Sequence, residues 1–220
     1  MAITAPQPPF AMAMGKNLPC AEIGGDFFSV VGLDERLVVA IADVSGKGIA
    51  AAVMASLLQG MIHEDLRSKV PVPEIARRAN EFFCLRDLGA KYATFVIACV
   101  QSNGEMEYTN CGHIPPLVAS AGGAVTRLRE SNLPVGLLPN VEYKSAGFQL
   151  SPGDRIILVT DGVTEAEAPT GEFFGDERLE MSAALGMGPE QIFDSVRLFC
   201  ADRPLNDDCT AVGLDYIGNP

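Results

Sequence analysis

A chain of 220 residues, 48% of them hydrophobic, can bury a substantial core and fits one globular unit better than two. Its net charge of −12 and sequence pI of about 4.5 leave no basic footprint for nucleic acid or for an anionic membrane surface. The start lacks a basic region and a long apolar stretch, and no later run approaches the length of a membrane span.

Residues 1–20, rich in Pro and Ala at their start, read as a lead-in or linker remnant, with the domain proper expected over 21–217. Arg36 to Ala42 is β-branched and apolar, as a buried strand would be, and delivers Asp43 at its carboxyl end. Gly46-Lys47-Gly48 then opens a helix in which Ile49, Val53, Met54, Leu57, Leu58, Met61 and Ile62 recur at helical spacing, a stripe expected in the core. A second helix begins near Pro73, shows Ile75, Ala79, Phe82 and Phe83 on one face, and is expected to end around Gly89.

The period then changes to two. Tyr92 to Val100, the Ser102-Asn103-Gly104 turn and Glu105 to Asn110 predict an antiparallel hairpin, and Leu117 to Ser120, Gly122-Gly123 and Val125 to Arg129 a second. Arg155 to Val159 is a short apolar strand ending at Thr160-Asp161, and Glu165 to Gly175 reads as a mobile loop beside it. Helical spacing returns at Asp176 to Leu185 and Glu190 to Cys200, and Thr210 to Tyr216 closes the chain as a strand. Hairpins flanked by paired helices predict antiparallel sheet covered by helices. The cysteines Cys20, Cys84, Cys99, Cys111, Cys200 and Cys209 form no CxxC pair, which predicts reduced thiols and a cytoplasmic protein.

Four acidic motifs punctuate these elements: Gly24-Gly25-Asp26, Asp43-Val44-Ser45-Gly46-Lys47-Gly48, Thr160-Asp161-Gly162 and Asn206-Asp207-Asp208. Singly, each has a bland reading. Asp26 suits a turn, and Asp43 with Ser45 suits a helix cap. Lys47 suits either a solvated side chain or a phosphate contact at a helix start, and His113 suits a loop hydrogen-bonder more than a substrate contact. Asp161 is harder to dismiss, because an unpaired acid closing so apolar a strand is costly to bury. Asp207 and Asp208, adjacent like charges before a strand, repel unless a cation or solvent separates them. Together, with few basic residues nearby, the acids call for about two divalent ions, and oxygen ligands without His or Cys clusters select Mn2+ or Mg2+ over zinc.

The ordered motifs Ala21-Glu22-Ile23-Gly24-Gly25-Asp26-Phe27-Phe28, Ala42-Asp43-Val44-Ser45-Gly46-Lys47-Gly48-Ile49-Ala50-Ala51-Ala52, Tyr108-Thr109-Asn110-Cys111-Gly112-His113-Ile114-Pro115-Pro116, Leu133-Pro134-Val135-Gly136, Thr160-Asp161-Gly162-Val163-Thr164-Glu165-Ala166 and Asn206-Asp207-Asp208-Cys209-Thr210 resemble those of SpoIIE/RsbU-type serine phosphatases. These belong to the metal-dependent protein phosphatase (PPM) superfamily. The resemblance implies an α+β, four-layer αββα sandwich of two antiparallel sheets flanked by helix pairs. It implies that Asp43 bridges two ions, that the Val44 backbone carbonyl and Asp26 serve one, and that Asp161 and Asp207 serve the other. Asp208 is the less certain neighbour, with a loop contact as its alternative.

The same resemblance implies hydrolysis of phosphoserine or phosphothreonine by metal-activated water, with Asp43, Asp161 and Asp207 catalytic in that sense and Gly46 and Lys47 near the phosphate. The implied partner is a phosphorylated STAS-domain anti-sigma factor antagonist in a bacterial partner-switching pathway, and relatives often carry an upstream sensor or receiver domain. Ser45 stands where many eukaryotic members have histidine, and no arginine near the start matches their phosphate ligand, which leaves the leaving-group acid unassigned. A haloacid-dehalogenase-type reading fails at Val163, where a second Asp belongs. A module that sequesters a STAS or phosphoprotein partner without turnover is the runner-up, and a metal-binding structural protein explains the acids but not the Gly46-to-Gly48 helix opening.

Overall fold

The computed structural model describes residues 6–33, 35–85 and 91–219. Strand β3, which follows β1 (Ala11–Leu18) and β2 (Asp26–Leu33), spans Arg36–Val44 and shows how the layers arise. Side chains alternate across a strand. Val38, Ala40, Ala42 and Val44 therefore join a core shared with two helices, while Leu37, Val39 and Ile41 join a second core between two sheets. A strand buried on both faces must be apolar throughout, which is why Arg36 to Ala42 is legible as one.

The helices on the outer face are α1 (Ile49–Arg67) and α2 (Val72–Cys84). Then come β4 (Ala93–Gln101), β5 (Glu105–Cys111), β6 (Leu117–Ala119), β7 (Val125–Arg127), β8 (Ala146–Gln149) and β9 (Arg155–Val159). A single turn, α3 (Asp161–Thr164), leads to α4 (Gly175–Ala184), α5 (Pro189–Phe199) and β10 (Cys209–Tyr216). One sheet has the order β2-β3-β4-β5-β8 and the other β1-β10-β9-β6-β7, with every neighbouring pair antiparallel. A third core, with Leu179, Ile192, Phe193 and Val196 against Ile157, Val159 and Ala211, packs α4 and α5 on the second sheet. The result is the four-layer αββα sandwich expected from the sequence.

Several expectations are corrected. Residues 11–18 are no lead-in: β1 pairs along its whole length with β10, from Ala11↔Tyr216 to Leu18↔Cys209. Its Ala, Met, Gly, Lys and Asn carry little β-propensity, so pairing with β10 imposes the strand. Strands β2 and β8 go beyond the elements expected from the sequence, and α2 stops at Cys84, whereas the expected end at Gly89 lies outside the described residues. The α1 stripe divides: Met54, Leu58 and Ile62 are buried, but Ile49, Val53 and Leu57 are exposed on an adjacent face, because the stripe is wider than the surface the sheet covers. The Glu165 to Gly175 segment is a tight turn, in which Phe174 N–H donates to the Ala166 carbonyl and Ala168 N–H to that of Glu172.

Candidate metal centre

All four acidic motifs meet at one pole of the sandwich. Asp26 opens β2 and lies in register opposite Asp43 on β3, which in turn lies opposite Thr94 on β4. Strand alternation turns Asp43 to the same face as Val39 and Ile41, so it faces the gap between the sheets. The other sheet brings Thr160, which follows β9, and Thr210 of β10 to that gap. Thr160 Oγ1 and Thr210 Oγ1 both donate to Asp26 Oδ2, at 2.6 and 2.8 Å. Thr160 Oγ1 also accepts the Thr210 N–H at 2.9 Å, and Asn17 Nδ2 on β1 supports Thr210 Oγ1 at 2.9 Å. These hydroxyls fix Asp26 across the gap.

The paired motif at residues 206–208 divides its labour. Asp208 is buried, with Oδ1 accepting the Cys20 N–H at 2.9 Å and Oδ2 the Gly25 N–H at 2.8 Å. It clamps the loop between β1 and β2, the alternative the sequence left open for it. Asp207 is half exposed, and its Oδ2 lies 3.2 Å from Lys47 Nζ, which also donates to the Asn206 carbonyl at 2.7 Å. Glycines make these approaches possible. A Cβ at Gly24 would lie 2.0 Å from Asp208 Oδ2, one at Gly162 2.0 Å from the Asp208 carbonyl oxygen, and one at Gly25 2.8 Å from the Val44 carbonyl oxygen. Ser45 does not cap α1: its Oγ accepts the Tyr92 N–H instead, and the helix starts from Gly48 without a side-chain cap.

The electrostatics follow from this crowding. Burial pushes the Asp26 carboxyl up to about 8, against the pull of its Thr160 and Thr210 hydrogen bonds, with Asp43 adding to the rise. Asp43 is pushed up to about 7, by burial first and then by Asp161, Asp207 and Asp208, with a hydrogen bond to Asp26 opposing. Asp161 is raised by burial and by Asp207, while the Gly162 N–H and Lys47 lower it. Among the described residues, Lys47 is the sole side-chain cation in ion-pair contact with any of these acids.

The donor set suits hard divalent cations. It consists of carboxylate oxygens and the Val44 peptide carbonyl, which a Cβ at Gly25 would crowd, and the acids' mutual repulsion is what a divalent ion would relieve. Among the described residues, no three His, Cys, Asp or Glu side chains already surround a common point as ligands. The structure thus brings together Asp26, Asp43, Asp161 and Asp207, with Gly46 and Lys47 on the adjoining loop, and turns Asp208 toward the backbone. Sequence reasoning missed Asn17, Thr94, Thr160 and Thr210. The available signal was the polar residue ending an otherwise apolar strand, as in Val159-Thr160.

The profile of the family "Stage II sporulation protein E (SpoIIE)" matches residues 33–216. Phosphoserine phosphatase RsbU of Bacillus subtilis is 26% identical over 206 residues, covering 90% of this chain and 61% of its own length. Protein IcfG of a Synechocystis species is 29% identical over 191 residues, covering 73% of this chain and 30% of its own. The chain therefore spans between about a third and three fifths of these relatives. Among solved structures, the RsbU and RsbW domains of Rv1364c from Mycobacterium tuberculosis superpose with a TM-score of 0.81 at 25% identity, over 96% of this chain and 61% of that one. The PP2C phosphatase domain of SpoIIE from Bacillus subtilis gives 0.83 at 19% identity, over 96% and 64%. Among the described residues no helix is long and apolar enough to cross a membrane. Motif order, sheet topology and the match over residues 33–216 agree: the fold is that of PP2C phosphatase domains, and the chain belongs to the Stage II sporulation protein E (SpoIIE) family.

Proposed function

We propose that this domain hydrolyses phosphoserine or phosphothreonine on a STAS-domain anti-sigma factor antagonist, using two divalent cations, Mn2+ or Mg2+, held between its sheets. The observation that carries the reading is the convergence of Asp26, Asp43, Asp161 and Asp207 from both sheets, with three of the four carboxyls pushed up by burial and by one another. Asp43, flanked by Asp26 and Thr94 on the neighbouring strands, is the proposed bridge. Asp26 and the Val44 carbonyl would hold one ion, and Asp161 with Asp207 the other. When bound, such ions activate water for in-line attack on a phosphate monoester and offset charge on the phosphoryl oxygens.

The chain's own residues do the positioning. Thr160 and Thr210 orient Asp26 through its Oδ2 and leave Oδ1 free of them. Asp208 holds the Gly24-Gly25 loop, where the missing Cβ of Gly25 leaves the buried Val44 carbonyl uncrowded. Gly46 adds no side chain at the rim, and Lys47, anchored on Asp207, sets a positive charge there for the phosphate. The substrate class draws support from relatives named phosphoserine phosphatase, RsbU and RsbP, and from the solved neighbour that joins RsbU and RsbW domains.

The test is to incubate the purified chain with p-nitrophenyl phosphate, and separately with a phosphoserine STAS protein, with Mn2+, Mg2+ or chelator, beside Asp43→Asn and Asp161→Asn. Hydrolysis is expected to need the metal and both acids. Turnover indifferent to chelator and to both substitutions would refute the proposal, and capture of the phosphoprotein without turnover would favour sequestration instead.

A further inference from the structure

His113 stands outside the acid set, yet it sits at the same pole. Its own loop is closed: the His113 N–H donates to Asn110 Oδ1 at 2.8 Å, and the His113 carbonyl accepts from Asn110 Nδ2 at 3.0 Å. The turn passes through Gly112 at φ 69°, where a Cβ would strike Pro134 at 2.4 Å. The backbone of the loop is thereby fixed, and His113 is only 7% exposed.

Its two nitrogens face different sheets. Nδ1 lies 2.8 Å from Thr94 Oγ1, on the residue that is the register partner of Asp43. Among the described residues Nε2 has no hydrogen-bond partner, and since Nδ1 is taken by Thr94 we assign to the Nε2 side the backbone carbonyl that acts on the ring, that of Val159, the last residue of β9 and two before Asp161. Burial holds the ring neutral by pushing its pKa down to about 4, with the Val159 carbonyl pulling the other way. A carbonyl before Nε2 assigns the proton to that nitrogen, which leaves Nδ1 to accept from the Thr94 hydroxyl.

The gap between the sheets is therefore spanned on two sides of Asp43. On the β2 side, Thr160 and Thr210 reach across to Asp26. On the β4 side, His113 reaches from Thr94 toward Val159. We propose that His113 is a positioning residue, a spacer that sets the separation of Asp43 on one sheet from Asp161 on the other and so tunes the affinity for divalent cations. This rests on the metal-site reading above.

Asn and Gln separate the two halves of the link, since an Asn amide reaches roughly where Nδ1 lies and a Gln amide roughly where Nε2 lies. Mn2+ titration calorimetry on the chain, His113→Asn and His113→Gln is paired with thermal melts in chelator. Loss of an orienting contact behind metal ligands typically weakens binding by about 10-fold to 100-fold. Each variant keeps one end of the link and loses the other, His113→Asn the reach to Val159 and His113→Gln the contact with Thr94, so both are expected to weaken Mn2+ binding by about tenfold. In the unsubstituted chain, with only two histidines, Mg2+ is expected to shift the imidazole nitrogen resonances of His113 but not of His63.

Mn2+ affinity within about twofold of the parent in both variants, alongside lowered melts, would make His113 a packing residue and overturn the inference. An unmoved His113 resonance in a chain that binds Mg2+ overturns it as well. A parent chain that binds neither ion fails the metal reading itself, and this inference falls with it.

Discussion

Asp207 and Asp208 are neighbours with opposite expected phenotypes. Asp208→Ala removes an acceptor of two backbone N–H groups, from Gly25 in the interior and from Cys20 nearer the surface. A hydrogen bond to a charged group contributes roughly 1.5–3 kcal/mol, so with the Cys20 bond discounted for exposure the loss is about 3–4 kcal/mol. For a domain of this size each kcal/mol moves the melt by about 2–4 °C, which puts the expected fall near 10 °C in chelator. Asp207→Ala loses only an exposed ion pair to Lys47, about 0–1 kcal/mol, and relieves repulsion on Asp43 and Asp161. Its melt in chelator is expected to stay within about 2 °C of the parent. The response to Mn2+ divides them the other way. A ligand at about 100 times its dissociation constant adds roughly 2.7 kcal/mol, and that gain should survive in Asp208→Ala and vanish in Asp207→Ala. Scanning calorimetry with and without Mn2+ reads both effects. A metal-dependent gain lost in Asp208→Ala and kept in Asp207→Ala would show that the two roles are assigned the wrong way round.

Three further outcomes follow from the same geometry. The carboxyls of Asp26 and Asp43 are raised to about 8 and about 7 from 3.8, so the folded chain binds protons more tightly than the unfolded chain between about pH 4 and 8. Their contribution to stability therefore falls as pH rises through that window, and Mn2+ should stabilise more at pH 8 than at pH 6. Melts of the chain beside Asp26→Asn isolate this contribution, and a parent-minus-variant difference that grows more favourable with rising pH in chelator contradicts it. Gly162→Ala places a Cβ 2.0 Å from the Asp208 carbonyl oxygen, a backbone atom with no room to yield, and should cost about 3 kcal/mol or more, read as a chemical-denaturation midpoint or as loss of soluble protein. Thr160→Val keeps the shape but leaves the buried Thr210 N–H without its acceptor, a loss of about 1–3 kcal/mol, and should also raise the Asp26 carboxyl further, which carbon-detected NMR titration can follow.

Strands buried on both faces, such as Arg36–Val44 and Arg155–Val159, were legible because such burial demands uninterrupted apolar sequence. β1 was not, because Ala11 to Leu18 is a strand by virtue of β10, and no local signal encodes a partner some two hundred residues away. At the site, motif order located Asp26, Asp43, Asp161 and Asp207, but residue type alone does not divide Asp207 from Asp208. That division depends on which carboxylate the Cys20–Gly25 loop can reach. The α1 stripe overstates the core for a related reason: periodicity shows that a helix has an apolar side, and only the neighbouring sheet decides how much of that side is covered. Thr160 and Thr210 carry no chemistry of their own, and their importance appears only once Asp26 lies across the gap.

The pairing of β1 with β10 also determines where the polypeptide enters and leaves. Ala11 and Tyr216 are adjacent, and both lie at the far end of the ladder from Leu18 and Cys209, where the acids gather. Eight strand residues at about 3.3 Å each separate the two poles by roughly 25 Å. Covalent attachments and chemistry are thus assigned to opposite ends of one body, like a bayonet fitting whose socket is remote from its point. A neighbouring unit joined at either end would share one doorway and leave the acidic mouth open to a visiting protein, and a circular permutant that closed this doorway and opened the 121–123 turn would keep every acid in place.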